Sequence, residues 1–207
     1  MPLLGDGWTR CKPQHNPYRW LRTEPGQVFT VSAAQGLAGS FPADSFVRID
    51  ASGRAGRKSY RNFSRQLAGP DGVSRAALPP LWRELIADLL ADGYRRQVAR
   101  LLDQPIAPTL EVRLVRHAEG DWLGPHTDGE DKLFSHIFYF TPGWRAEWGG
   151  CLQILGSRDP DDVVDQVVPR LGASVLLARA GNSWHQVSQV AARPVPERTS
   201  LLVHGLR

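Results

Sequence analysis

Three side chains in the second half of this chain have the types and spacing to grip one metal ion: His126 and Asp128, with Thr127 between them, and His185 further on. Two imidazoles and one carboxylate form a facial set of ligands, which leaves half of an octahedral iron(II) open to a chelating organic acid and to oxygen. Alternate side chains of an extended segment face the same way, so His126 and Asp128 converge on one spot and Thr127 points away. The turn Gly181-Asn182-Ser183 tolerates positive φ and presents Trp184-His185 at the head of a returning strand, with Trp184 directed away from His185. An isolated H-x-D pair is weak evidence. Followed by a second histidine and then an arginine, in that order, it is far more specific.

The arginine is Arg198, which opens Arg198-Thr199-Ser200-Leu201-Leu202-Val203-His204. Alternation puts Arg198, Ser200, Leu202 and His204 on one face, and Thr199, Leu201 and Val203 on the other. An arginine turned into a barrel needs a counter-ion, because an unpaired buried charge is costly. A dicarboxylate held by the guanidinium fork supplies one, and Ser200 adds a hydroxyl donor. The competing reading pairs Arg198 with a surface acid such as Glu197. Arg193, beside Pro194, is a second candidate for the anchoring role and reads as a loop residue. Of the other histidines, His136 and His204 fall in strand interiors and His117 at a strand end, where core or pocket packing is expected. His15 is expected at the surface.

These residues need a frame. From Thr109 the chain breaks into eight short segments, 109–117, 122–128, 133–141, 151–156, 163–168, 173–179, 184–190 and 199–206, separated by Gly, Pro and Asp. Eight strands with frequent turns predict a mainly β fold with flanking helices, a double-stranded β-helix (jelly roll, cupin-like). Distant strands meet across the mouth of such a barrel, which brings His185 toward the H-x-D pair. Upstream, Leu81, Trp82, Leu85, Ile86, Leu89, Leu90, Val98, Leu101 and Leu102 recur near the 3.6-residue period and predict helix packed on a sheet. Gly93 is expected to split this run, and Pro105 and Pro108 to end it. In the weakly periodic first 75 residues, Val28–Val31 reads as a short strand and the cationic stretch Arg54–Asn62 as a surface loop. The expected organisation is one domain over 1–207. Residues 1–108 give helical and irregular support with substrate loops, and 109–207 give the jelly-roll core.

With 207 residues, 42% of them hydrophobic, the chain can bury one sizeable core. It has no run of 18 apolar residues, and its first residues lack the basic start and apolar stretch of a secretory signal. A cytoplasmic location is therefore expected. Cys11 and Cys151 make neither a disulfide framework nor zinc-ligand spacing, and Cys151 reads as an inert core thiol. The net charge of +4 rests on arginine, since Lys12, Lys58 and Lys132 are the only lysines. No basic stripe is interleaved with aromatics, which disfavours nucleic acid. The expected partner is a small molecule, with no nucleic acid and no membrane, and the protein a monomer or homodimer.

With these residues in view, Glu111–Leu206 resembles the iron(II)- and 2-oxoglutarate-dependent oxygenases, and most of all their prolyl-hydroxylase-type branch with its small bacterial relatives. In that branch the first strand ends in Y-x-x-G and leads to H-x-D. Here the stretch is His117-Ala118-Glu119-Gly120, then His126-Thr127-Asp128, with His117 in place of the tyrosine. An apolar strand, a turn, a tryptophan and a glycine pair follow in the branch, matched by Phe134–Phe140, Thr141-Pro142-Gly143-Trp144 and Gly149-Gly150-Cys151. Tyr139 falls where such enzymes place a phenol against the cosubstrate carboxylate, and Arg198 with Ser200 matches an R-x-S pair. The resemblance implies His126, Asp128 and His185 as the catalytic iron ligands, and Arg198, Ser200, Tyr139 and His117 around the cosubstrate. The cofactors it implies are Fe(II), 2-oxoglutarate and O2, and the chemistry is oxidative decarboxylation to succinate and CO2 coupled to hydrogen abstraction from a substrate. Related halogenases carry a small residue where Asp128 stands, so halogenation is not expected. The branch that repairs alkylated nucleic acids carries a second arginine six residues after the first, and here that position is His204.

The substrate is less legible. Candidate pocket residues are Arg57, Lys58, Tyr60, Arg61, Trp122, Phe134, Phe138 and Trp144, each with core or surface packing as the competing role. A compact, arginine-rich oxygenase of this size resembles tailoring enzymes of bacterial secondary metabolism, antibiotic biosynthesis included, which hydroxylate, epimerise or cyclise a small scaffold. A prolyl-type hydroxylase of a peptidyl or free amino acid is the alternative. A jelly-roll binding module without catalysis is disfavoured by the complete ligand set.

Overall fold

A computed structural model describes residues 2–52, 58–73, 78–192 and 195–207. In chain order its strands are β1 (Trp20–Thr23), β2 (Val47–Asp50), β3 (Tyr60–Gly69), β4 (Gly72–Val73), β5 (Thr109–His117), β6 (Trp122–His126), β7 (Lys132–Tyr139), β8 (Leu152–Leu155), β9 (Val163–Val167), β10 (Ser174–Ala178), β11 (His185–Val187) and β12 (Arg198–Leu206). Among the described residues three helices accompany them, α1 (Val31–Gly39), α2 (Pro80–Leu90) and α3 (Asp92–Leu102).

Alternation along β5 and β12 divides the molecule into two cores. Leu110, Val112 and Leu114, with Leu201 and Val203, turn outward and pack under Trp82, Leu85, Ile86, Leu89, Val98 and Leu102 of the helices. The opposite face of the same strands carries Arg113, Val115, His117, Arg198, Ser200, Leu202 and His204, and it lines a cavity. A second apolar cluster, including Ile137, Tyr139, Leu152, Ile154, Val175 and Val187, fills the space between the sheets. The strands pair antiparallel in the order β1-β10-β7-β12-β5-β3-β6-β11-β8-β9. β3 joins the two layers, since Phe63–Ala68 pair with β5 while Tyr60 and Arg61 pair with β6. The result is the nearly closed jelly roll expected from the turn spacing, with all eight expected segments present as strands.

Three local expectations change. Val28–Val31 is not a strand: Thr30 caps α1, its hydroxyl accepting the Ala33 N–H at 3.2 Å. Two β-branched residues at a helix start mimic a strand when the cap is not considered. The long helical run breaks at Ala91, which is extended (φ −69°, ψ 146°), and not at Gly93. That bend lets the apolar stripes of α2 and α3 reach one core. The sheet also begins well before residue 109, because β1–β4 belong to it. β3 was unreadable because one of its faces borders the polar cavity and the other carries arginines. Tyr60–Asn62, expected in a loop, are its first residues, while Arg54–Arg57 lie outside the described residues, as does Arg193.

Gly149 and Gly150 connect a 3-10 turn (Ala146–Trp148) to β8 with φ of 66° and 63°. A Cβ on Gly149 would lie 2.0 Å from the backbone oxygen of Gln189, and one on Gly150 would lie 3.1 Å from Cδ of Arg198. Gly149→Ala combines a left-handed φ with a clash against backbone and is expected to cost about 2 kcal/mol. Urea denaturation should show a lower midpoint at unchanged slope. An unchanged midpoint would mean that the connection yields easily.

Candidate active site

His126 ends β6 and His185 opens β11, and the two strands pair with these residues opposite each other. Their ring centroids are 4.2 Å apart. One ligand atom from each of His126, Asp128 and His185 lies within 4.8 Å of the others, and all three residues are buried. Local backbone fixes the tautomers. The Nδ1–H of His126 donates to the Gly124 carbonyl at 3.0 Å, and that of His185 to the Ser183 carbonyl at 2.9 Å. In both rings this leaves the Nε2 lone pair free to face the common point. Burial holds His126 and His185 below the ordinary histidine range. Burial also opposes the charge of Asp128, but the polar and cationic groups packed around it, Lys58 included, outweigh that and keep its carboxyl well below the usual range. Neutral imidazoles beside an ionised carboxylate are the protonation states a divalent cation requires.

Ser135 and His204 form a support that sequence reasoning did not identify. The Ser135 hydroxyl donates to Oδ2 of Asp128 at 2.6 Å. Having spent its proton there, Ser135 accepts from Nδ1–H of His204, also at 2.6 Å. The Lys132 ammonium then donates to Nε2 of His204 at 3.2 Å. Every donor in this chain points toward Asp128. The available signal was the alternation along β12, which put His204 on the same face as Arg198. What was missing was the register that sets Ser135 opposite His204.

Arg198 occupies the other end of the same cavity, six residues along β12 and about 20 Å from His204 at ordinary strand rise. It is 2% exposed. Its only hydrogen-bond partners among the described residues are Nδ1 of His117 at 3.3 Å and the Ser200 hydroxyl at 3.4 Å, and neither carries charge to oppose it. Glu197, the surface acid considered above, pairs with Arg116 at 3.2 Å instead. Burial and the neighbouring Arg198 push His117 well below the usual histidine range, so its ring is neutral. Since His117 Nδ1 accepts from Arg198, its proton sits on Nε2, a buried atom with no partner; Nε of Arg198 is in the same condition. An anion accepting from both donors would satisfy them.

The cavity, of about 230 Å³, is lined among others by the metal-type triad, Arg198, Ser200, His117, Lys58 and Tyr60. Tyr139 does not border it. The tyrosine lies behind Arg198, whose guanidinium carbon is 5.0 Å from its ring centroid, and burial pushes its hydroxyl up to about 12. The resemblance set Tyr139 against the cosubstrate carboxylate; its hydroxyl is buried without a partner among the described residues, beside Arg198 and outside the cavity lining. Other expected pocket residues are elsewhere. Phe134 and Phe138 face the helices in the outer core. Arg61 stacks on Trp122, away from the cavity lining. Trp144 donates its indole N–H to the Gly149 carbonyl at 2.9 Å. Arg57 lies outside the described residues. His136 is a core histidine bonded to Tyr94 and Ser174, and His15 is exposed, as expected.

Residues 112–204 match the family model described as the 2OG-Fe(II) oxygenase superfamily. Over 106 residues, 49% of the chain, the sequence is 28% identical to a prolyl 3-hydroxylase of Xenopus laevis, and the aligned part is 21% of that protein. The chain thus spans about a fifth of the length of the curated relatives it matches. The fold is similar to a crystal structure of a Pseudomonas putida prolyl-4-hydroxylase, with a TM-score of 0.64 at 18% identity over 91% of this chain and 92% of that one. It is also similar to SnoN, a non-haem α-ketoglutarate-dependent epimerase from nogalamycin biosynthesis, with a TM-score of 0.55 at 14% identity over 89% of this chain and 76% of that one. At such identities the structural likeness is one of fold.

Proposed function

We propose, from the match of residues 112–204 to the 2OG-Fe(II) oxygenase superfamily, that the protein is a 2-oxoglutarate-dependent dioxygenase of a small molecule. The observation that carries the reading is the buried, uncompensated Arg198 at one end of a cavity whose middle holds His126, Asp128 and His185. The residues fit both absent groups. His126 and His185 would hold iron(II) through Nε2 and Asp128 through Oδ1, the carboxylate oxygen that Ser135 leaves free. Arg198 would take the far carboxylate of 2-oxoglutarate, with His117 Nε2–H and the Ser200 hydroxyl as further donors. Iron(II) with chelated 2-oxoglutarate supplies the oxidative decarboxylation that turns O2 toward hydrogen abstraction. The chain contributes position, charge and dryness: Leu123, Ile137, Leu152, Val187 and Leu202 wall the space between the two ends against water.

Hydroxylation, epimerisation and cyclisation all begin with the same abstraction, and a secondary-metabolite tailoring step fits this site. A second reading, a prolyl-type hydroxylase of a peptidyl or free amino acid, is favoured by the similarity to the Xenopus protein. An anaerobic titration with iron(II) and 2-oxoglutarate tests the common part, for which an iron(II)–oxoglutarate charge-transfer band is expected. Oxygen-dependent succinate release over a panel of metabolites and proline peptides then separates the two substrate classes. Absence of the band with both components present would remove the oxygenase reading.

Ser135→Ala takes a hydrogen bond from Asp128 and leaves the His204 donor without an acceptor. Outer partners of ligating carboxylates commonly change metal affinity about 10–100-fold, and a loss in that range is expected here. Competition titration with manganese(II) measures it. Wild-type affinity in the variant would show that Asp128 is held by its backbone alone.

A further inference from the structure

Beyond the ligand triad, away from Arg198, the cavity turns cationic. Lys58, Arg113 and Lys132 all border it there. Arg113 is held by Glu111 at 2.5 Å, which balances that pair. Lys132 has Asp128 as its nearest carboxylate, at 3.9 Å. Lys58 has no carboxylate within ion-pair distance among the described residues, and the residues outside that set carry no acidic side chain. Its ammonium instead lies 5.8 Å from the centroid of the Tyr60 ring.

Filling the site as proposed above does not neutralise this end. The two charges of iron(II) are met by Asp128 and the near carboxylate of 2-oxoglutarate, and Arg198 is met by the far carboxylate. Two ammonium groups are then left facing the space where a substrate must enter. Holding them half-buried without an anion is unfavourable, and burial already pushes Lys58 down to about 8.

We infer that the substrate carries an oxyanion, a carboxylate or phosphate on a compact small molecule, which Lys58 and Lys132 receive beyond the metal ligands. The inference rests on the oxygenase reading and deepens it by naming a substrate class. Compactness follows from the cavity of about 230 Å³, part of which the cosubstrate takes. The anion sets the reach of the substrate: its reactive carbon lies near the metal position while its charged end contacts the two lysines.

The chain has only three lysines, and Lys12 is exposed. Trace acylation with acetic anhydride, read by peptide mass spectrometry, therefore reports Lys58 and Lys132 against an internal control. The experiment uses the protein loaded anaerobically with iron(II) and 2-oxoglutarate. The probes are inorganic phosphate, phenyl phosphate against phenol, and N-acetylproline against its amide. At least one oxyanion should protect Lys58 and Lys132 at least tenfold more effectively than its neutral partner, with no change at Lys12. The single variants Lys58→Gln and Lys132→Gln should each weaken protection of the remaining lysine. Equal protection by charged and neutral partners, or none by any anion, overturns the inference. The charge-transfer band, recorded on the same sample, reports the oxygenase reading separately. Its absence would count against that reading, whereas unprotected lysines in a sample showing the band count against the oxyanion alone.

Discussion

His126→Ala and Asp128→Ala should each abolish iron-dependent conversion of 2-oxoglutarate to succinate. Each residue supplies one of three ligand atoms gathered within 4.8 Å, and among the described residues no neighbouring histidine is free to replace it. His136 is bonded on the opposite side of its sheet to Tyr94 and Ser174. His117 is engaged by Arg198, and His204 donates to Ser135 behind Asp128. Even partners outside the ligand set change metal affinity about 10–100-fold in such sites, so loss of a ligand should exceed that range. Iron binding followed by titration, with succinate release under saturating 2-oxoglutarate, gives the two readouts. Both variants should still unfold cooperatively, since the deleted atoms border a cavity and leave β6 pairing intact. Turnover at the wild-type rate in either variant would falsify the assignment.

Arg198→Met should produce opposite changes in two measurements. In the ligand-free protein the guanidinium is buried, with a neutral imidazole and a hydroxyl as its partners. Replacing an uncompensated charge with an apolar side chain of similar length removes that penalty, so the ligand-free variant should melt at a higher temperature than wild type. Affinity for 2-oxoglutarate should fall, because a buried charge-assisted pair is lost. A cost of about 2 kcal/mol or more is typical of such truncations, equivalent to roughly thirtyfold in binding. Thermal denaturation with and without 2-oxoglutarate in the presence of iron(II) reads both changes at once. If 2-oxoglutarate stabilises the variant as much as wild type, Arg198 is not its anchor. A purely structural arginine would give the reverse of the first result, a lower melting temperature without ligand.

Much of this was readable from residue order because it depends on short-range geometry. The alternation of β12 follows from strand pleating alone, and it correctly grouped Arg198, Ser200, Leu202 and His204 on the cavity side. The eight segments after residue 109 were delimited by Gly, Pro and Asp, which act locally on the backbone. His126 and Asp128 are two residues apart, so their convergence needed no knowledge of the fold.

Other features are relations between strands far apart in sequence, and no local rule contains them. Whether Ser135 meets His204 depends on the β7–β12 register. That Tyr139 packs beside Arg198 depends on β7 lying next to β12. Phe134 and Phe138 looked like pocket aromatics until the sheet acquired helices on one side, and β3 entered the barrel although its sequence alternates poorly. The order of residues specified which chemistry the chain could perform, because ligand type and spacing are properties of single segments. Tertiary packing decided which cations face the remaining space, because the burial of a charge and its distance from a counter-ion exist only once separate strands have met.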